Sequence, residues 1–159
     1  MPLNPNQFEA FVDATNTGGG ATMHLATGEL IGNNPEGPHG YIIGKEPRRK
    51  SPVKAVKTKY VARESFTPGV AQKKIAYIRR LAKPNPDLGV GSWVDTEEGE
   101  NSPVEMDAVR IHPNLKGAME TARARGEKAV WSTKLQDEIR TKSYFADPKK
   151  YHDMVGESL

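Results

Sequence analysis

Clusters of glycine and proline divide this chain into short segments, and the positions of these clusters constrain the fold more than any other feature. Three glycines at 18–20 follow the first candidate helix, a loop rich in Asn, Gly and Pro covers 33–40, and Pro84 and Pro86 end another helix. The 15 glycines and 12 prolines form about 17% of the 159 residues, compared with about 12% on average. We therefore expect a thin core surrounded by many turns and loops.

Helical signals mark three segments of the chain. The first starts after Asn4, a good N-cap, and ends near Thr17. The second covers 68–83, where apolar residues recur at helical spacing after a capping Thr and a first-turn Pro. The third begins at Asn114 and ends at Gly126, a residue suited to a helix C-terminus.

Alternating apolar residues and runs bounded by glycine predict six strands. They cover 21–25, 40–44, 56–61, 88–95, 104–111 and 128–132. This order of elements favours an α+β fold, in which two hairpins form a small antiparallel sheet with helices on one face. We expect a single α+β domain over 1–142, an exposed basic arm at about 45–59 and a C-terminal tail at 143–159. The patterns at 134–142 and 148–155 are those of short amphipathic helices or of a tail.

Two further expectations concern packing. The turn signal at 26–29 predicts that the first strand returns at Leu30 and Ile31. The two tryptophans lie on predicted strands, where burial in the core is the simplest interpretation. The side chains that we expect to be largely buried are Val70, Ile75, Ile78, Trp93, Met119 and Trp131.

The composition excludes several classes of protein. Without cysteine, the chain can form no disulfide, zinc ribbon or iron–sulfur cluster and has no thiol nucleophile. No stretch approaches the roughly 20 apolar residues that span a bilayer, and no charged start followed by an apolar run indicates a signal peptide. We therefore expect no membrane partner.

The net charge of +3 conceals a strong segregation of charge along the chain. Residues 1–40 carry a net charge of −4, residues 41–84 carry +11, residues 85–108 carry −7 and residues 109–159 carry +3. Blocks of opposite sign can meet within one molecule or between neighbouring copies.

The strongest candidate for a binding site is the basic arm. Eight bases lie between 45 and 63, and a phosphate backbone favours such a block through counterion release. Tyr41 and Tyr60 could stack on nucleobases, whereas Pro47 and Pro52 argue against a recognition helix. An acidic neighbouring subunit and plain solvation are the alternatives. The candidate residues for binding a partner or nucleic acid are Lys45, Arg48, Arg49, Lys50, Lys54, Lys57 and Lys59.

A pair of acidic residues lies on a predicted strand. Glu105 and Asp107 are two positions apart and therefore share one face, and Asp95 and Glu97 could face them across the hairpin. Clustered carboxylates can bind a divalent cation or share a proton. The alternative is the solvent-facing side of an acidic hairpin, so we expect structural or contact residues and no metal.

A third possibility involves the histidines. His24 and His39 flank the first hairpin with Tyr41 nearby, and a set of His, Tyr and Glu on a split sheet is typical of a transferase for ADP-ribose. A toxin-like transferase would use these three residues with Glu105. The serines lie in no nucleophile elbow, and the three glycines at 18–20 lack the context and the Lys of a phosphate loop. We expect no cofactor.

Several segments together form a pattern that resembles a known group of proteins. They are 18–22 with 27–29, 40–43, the Gly-Trp strand 88–95, its partner 104–109, the helix at 118–122, and 127–131 with 138–139. The pattern resembles small, largely uncharacterised proteins that are encoded by bacteriophages of actinobacteria and related mobile elements. Some members lie among head genes, although the basic arm is longer and more charged here. The resemblance implies a role in or near the phage particle.

The leading hypothesis is a non-enzymatic, virion- or capsid-associated assembly protein that binds other virion subunits or copies of itself. Such a protein would be found in the virion, or in the host cytoplasm during assembly. The alternative is a nucleic-acid-binding or host-directed accessory protein that uses the +11 segment, and the toxin-like transferase is the third hypothesis.

Overall fold

The computed structural model describes residues 3–44, 46–51, 54–94 and 102–159. These residues form five α-helices, a short 3-10 helix at Arg63–Ser65 and one antiparallel sheet of seven strands. The helices are α1 (Pro5–Gly18), α2 (Pro68–Leu81), α3 (Leu115–Ala124), α4 (Thr141–Ala146) and α5 (Pro148–Val155). The strands are β1 (Gly20–His24), β2 (Tyr41–Ile43), β3 (Lys59–Val61), β4 (Leu88–Val94), β5 (Val104–His112), β6 (Ala129–Ser132) and β7 (Asp137–Arg140). The predicted α+β fold is confirmed.

The sheet is wider than two hairpins, and its centre is the nine-residue strand β5. The order is β1-β4-β5-β2-β6-β7, and β3 also pairs with β5. One edge of β5 pairs with β4, while the other pairs with β3 near Val104 and with β2 near His112. The return strand expected at Leu30 is reduced to a single bridge with Met23. Strand β1 is instead held in the sheet by β4.

Local capping explains where the helices begin. Asn4 accepts a hydrogen bond from the backbone of Gln7, whose side chain bonds back to the Asn4 backbone, so both ends of the capping box are satisfied. At the start of α2 the Thr67 side chain accepts a hydrogen bond from the Val70 amide, and at the start of α3 the Asn114 side chain accepts one from the Gly117 amide. Gly19 ends α1 at a φ of 82°, a conformation that favours glycine.

Helices cover one face of the sheet and form two apolar clusters there. In the first cluster α1 and α2 pack on β1, β4 and β5; in the second, α3, α4 and α5 pack on β2, β6 and β7. Ile75, Ile78 and Met119 are buried as predicted, whereas Val70 is only half-buried. Buried hydroxyls of Thr15 on α1 and Ser92 on β4, 2.6 Å apart, tie the first helix to the sheet.

The residues expected as a C-terminal tail, 143–159, are folded against the second cluster. Tyr144 and Val155 are buried, and the Tyr144 hydroxyl lies 2.7 Å from the ring of buried His152. The Glu157 carboxylate accepts a hydrogen bond from the backbone of Leu115 at the start of α3, at 2.9 Å. Within 134–142, where helix or tail was expected, 137–140 form strand β7 instead.

The expected burial of the two tryptophans is wrong. Trp93 and Trp131 are 52% and 43% exposed. Side chains alternate between the two faces of a strand, and the neighbouring Val94 and Val130 occupy the covered face. Both tryptophans therefore point to the face opposite the helices.

Candidate functional site

The face of the sheet opposite the helices contains a cleft of about 680 Å³, which we call the tryptophan cleft. Trp93 on β4 and Trp131 on β6 line it, together with the end of α1 at 17–19 and the segment 30–33. The segment that contains Ile31 and Gly40 covers part of this face, because a side chain at Gly40 would touch Ile111. Among the described residues of this face, Trp93 and Trp131 stay about half exposed.

Strand register places the two tryptophans far apart along the sheet. Trp93 lies opposite Glu105 on β5, whereas Trp131 lies opposite Ile42, which in turn lies opposite Ile111 on β5. Glu105 and Ile111 are six positions apart, or about 20 Å at about 3.3 Å per residue. The cleft is therefore elongated.

Gly91 leaves the floor of the cleft open. A Cβ atom at this position would meet only a methyl group of Val109, at an ordinary 3.5 Å. Neither the backbone nor the packing therefore requires glycine here, although glycine inside a strand costs about 0.5–1 kcal/mol relative to Ala. The missing side chain keeps open the space between Trp93 and Val109, both of which line the cleft.

Carboxylates accompany the tryptophans. Glu105 lies directly opposite Trp93 and Glu138 directly opposite Trp131. Asp107 lines the cleft between them and accepts a hydrogen bond from the Thr58 hydroxyl. No lysine or arginine occurs among the described residues that line the cleft, so its charge is negative.

The predicted acidic pair, Glu105 and Asp107, thus lies on the open side of β5. Its expected neighbours across the hairpin, Asp95 and Glu97, lie outside the described residues. Sequence reasoning did not identify the cleft itself. The available signal was the alternation along β4, where Leu88, Val90 and Val94 fill one face and leave Gly91 and Trp93 on the other.

The basic arm is attached to the end of α2. Backbone amides of Arg49 and Lys83 donate to the carbonyls of Leu81 and Pro47, at 2.7 and 2.9 Å. Arg48 and Lys59 are half-buried, whereas Arg49, Lys50, Lys54 and Lys57 are exposed, and Lys45 lies outside the described residues.

Glu46 anchors the root of the arm, and sequence reasoning missed this role. Its side chain is fully buried, with one oxygen 2.7 Å from Arg125 and 3.4 Å from Arg110. The other oxygen accepts a hydrogen bond from Asn85 at 2.9 Å. Because Glu46 is neutralised inside the protein, it does not offset the exposed positive charge of the arm.

The attachment joins the arm to the exposed side of α2. Lys59 lies 4.3 Å from the centre of the Tyr77 ring, and Arg80 lies 5.4 Å from it. Lys73 precedes Tyr77 by one helical turn and therefore shares its side of α2. The combined area, which we call the basic surface, comprises Arg48, Arg49, Lys50, Lys54, Lys57, Lys59, Lys73, Tyr77, Arg80 and Lys83.

The structure does not bring the four transferase candidates together. Tyr41 is buried on the helix-covered face, where burial and a hydrogen bond to Glu157 raise the pKa of its hydroxyl. His39 bonds to the Thr133 hydroxyl at 3.0 Å. Glu105 lies near the opposite end of β5 from His112, the residue that pairs with Tyr41.

Nowhere in 3–44, 46–51, 54–94 or 102–159 do three His, Asp or Glu side chains group as they would to hold a metal ion. Within the same ranges, every helix is too short or too polar to cross a membrane.

Comparison with models of protein families finds no match, and comparisons with curated proteins and with solved structures find none either. Function must therefore be inferred from the surfaces of this chain.

Proposed function

We propose that the protein is a virion- or capsid-associated assembly protein of a bacteriophage, which acts by binding an acidic protein partner through its basic surface. The observation that carries this proposal is the attachment of the arm to α2. Bases of the arm and bases of α2 are thereby brought side by side. The resemblance to proteins of actinobacterial phages supplies the biological setting.

Folding alone does not account for such a surface. Exposed charges contribute little to the stability of a fold, and like charges held together repel each other. Complementary charge does, however, accelerate and orient association between proteins. An arm that is already attached also loses less conformational entropy on binding than a free segment, for which ordering costs about 1–2 kcal/mol per residue.

A second candidate function is the binding of nucleic acid. Tyr77 is exposed beside Lys59 and Arg80 of this surface. Aromatic rings among lysines and arginines provide stacking as well as phosphate contacts for a single strand. This function predicts co-purifying nucleic acid that is lost steeply as the salt concentration rises.

The test replaces Arg48, Arg49, Lys50 and Lys54 together by Ser in the phage that encodes the protein. Mass spectrometry of purified virions should detect the wild-type chain and much less of the variant, while circular dichroism shows an intact fold. A control with Lys116, Lys128, Lys142 and Lys149 replaced by Ser removes the same charge elsewhere and should be incorporated normally. Absence of the wild-type chain from virions would refute the proposal. Normal incorporation of the arm variant together with loss of bound nucleic acid would favour the second function.

A further inference from the structure

We propose that the tryptophan cleft of one copy binds the basic surface of a second copy, so that the chain associates head to tail. This inference rests on the proposed function and names the acidic partner as the protein itself. It follows from the charge of the cleft, from its aromatic groups and from the position of the two surfaces on the molecule.

The charges of the two surfaces are complementary. Each tryptophan of the cleft lies opposite a glutamate, and Asp107 lies between them. An indole ring beside a carboxylate attracts a lysine or arginine through both its π face and the neighbouring charge. Among the described residues that line the cleft, the one charged side chain is Asp107, so the cleft favours a cationic segment over a phosphate backbone.

The arm presents its bases on a compact turn. The Arg48 amide donates to the Lys54 carbonyl and the Lys54 amide donates to the Ser51 carbonyl, both at 2.9 Å. The exposed Arg49, Lys50 and Lys54 therefore lie close together. Such a turn fits beside one tryptophan of the cleft and the glutamate opposite it.

The exposed bases of the arm lie away from the cleft of their own molecule, although Thr58, between Lys57 and Lys59 of the basic surface, bonds to Asp107 of the cleft. Helix α2 packs on the covered face of the sheet, and the arm is attached there through Glu46 and Arg110, whereas the cleft opens on the other face. The contact therefore requires a second copy. Because the two surfaces differ, the interface is heterologous and leads to rings or open filaments rather than a closed dimer.

The decisive experiment uses two full-length variants with reversed charge. The cleft variant carries Glu105→Lys and Glu138→Lys, and the arm variant carries Arg49→Glu, Lys50→Glu and Lys54→Glu. In sedimentation velocity at low salt the wild type should self-associate, and each variant alone should do so at least about tenfold more weakly. An equimolar mixture of the two variants should associate again, because each then offers the other a surface of opposite charge.

Intrinsic fluorescence provides a second readout that requires no label. Trp93 and Trp131 are the two tryptophans of the chain, and both line the cleft. Emission should shift as the wild-type protein associates, and the shift should disappear at high salt. If a charge-reversal variant does not fold, W93A/W131A tests the same contact, and it should weaken association by a similar factor.

Control variants test whether the effect depends on position. Glu9→Lys with Glu120→Lys reverses two exposed charges on helices, and Met154→Ala removes an exposed apolar side chain from α5. Both should associate like the wild type. A monomeric wild type, no recovery in the mixture, or association without a change in emission would overturn the inference. The inference would also be overturned if neutral oligosaccharides produced an emission shift and that shift were equally large in the charge-reversal variants.

The two proposals fail in distinguishable ways. If the arm variant is lost from virions but the cleft variant is incorporated normally, the acidic partner is another protein and only the head-to-tail inference fails. If the wild-type chain associates head to tail but is absent from virions, only the proposed function fails.

Discussion

The two faces of the sheet are built from alternate residues of the same strands, yet only one of them is closed. On the covered face, Val90, Val104 and Met106 are fully buried beneath helices. On the open face, Trp93 and Trp131 remain about half exposed beside glycine and carboxylates. Large exposed aromatic side chains are typical of contact sites. The first face therefore stabilises the fold, and the second is the face on which we propose that a partner binds.

The largest effect on stability should come from the covered face. Ile78 on α2 is fully buried, so Ile78→Ala should lower the free energy of unfolding by about 2–5 kcal/mol through lost burial and a residual cavity. Urea denaturation measures this change. A loss below about 0.5 kcal/mol would show that α2 does not belong to the core.

Glu46→Ala should have the next largest effect. It leaves Arg110 and Arg125 without their shared carboxylate and frees the root of the arm. These two side chains are 28% and 19% exposed, so we expect about 2–3 kcal/mol, less than for a fully buried pair.

Hydrogen exchange should separate this anchoring role from a general loss of stability. In Glu46→Ala the amides of Arg49 and Lys83, which hold the arm on α2, should exchange faster than the amides of β5. The control Glu64→Gln changes an exposed acid in the same basic segment and should leave stability and exchange unchanged. Unaltered exchange at Arg49 in Glu46→Ala would contradict the anchoring role.

Trp93→Ala should cost less than Ile78→Ala, although it removes a larger side chain. About half of the indole is already in water, so we expect a loss of about 1–2 kcal/mol. Thermal denaturation compares the two variants directly. The comparison between the faces would break down if Trp93→Ala proved as destabilising as Ile78→Ala.

The smallest and most specific effect is expected at Gly91. Gly91→Ala should leave the free energy of unfolding unchanged or raise it by about 0.5 kcal/mol, because the methyl group fits and the unfolded chain loses freedom. It should nevertheless weaken self-association, because it narrows the cleft.

Gly19→Ala is the matched comparison for that variant. Gly19 has a φ of 82°, so Ala should destabilise the protein at this position. Clear destabilisation by Gly91→Ala would mean that glycine is needed there for the fold and not for the cleft.

Much of the local structure could be predicted because it depends on neighbours in the chain. Asn4, Thr67 and Asn114 cap their helices through hydrogen bonds three residues away. The apolar stripe that buries Ile75 and Ile78 follows from helical spacing alone. For the same reason, charge counts could identify the arm as a candidate site.

The candidate site itself depends on contacts that the sequence does not specify. The burial of Glu46 requires Arg110 and Arg125, which are more than sixty residues away along the chain. The exposure of Trp131 requires that α3, α4 and α5 pack on the face occupied by Val130. No local sequence pattern specifies the burial of Glu46 or the exposure of Trp131.

Local sequence patterns specified where α1, α2 and α3 begin, six of the seven strands but not β7, and where charge of each sign accumulates. Those properties arise from backbone preferences and side chains only a few residues apart. Tertiary structure alone decided which face of the sheet the helices cover, and it attached the arm to α2 and left two tryptophans in an acidic cleft. A strand presents two faces that differ by one residue in register, so only packing against distant segments decides which of them is buried.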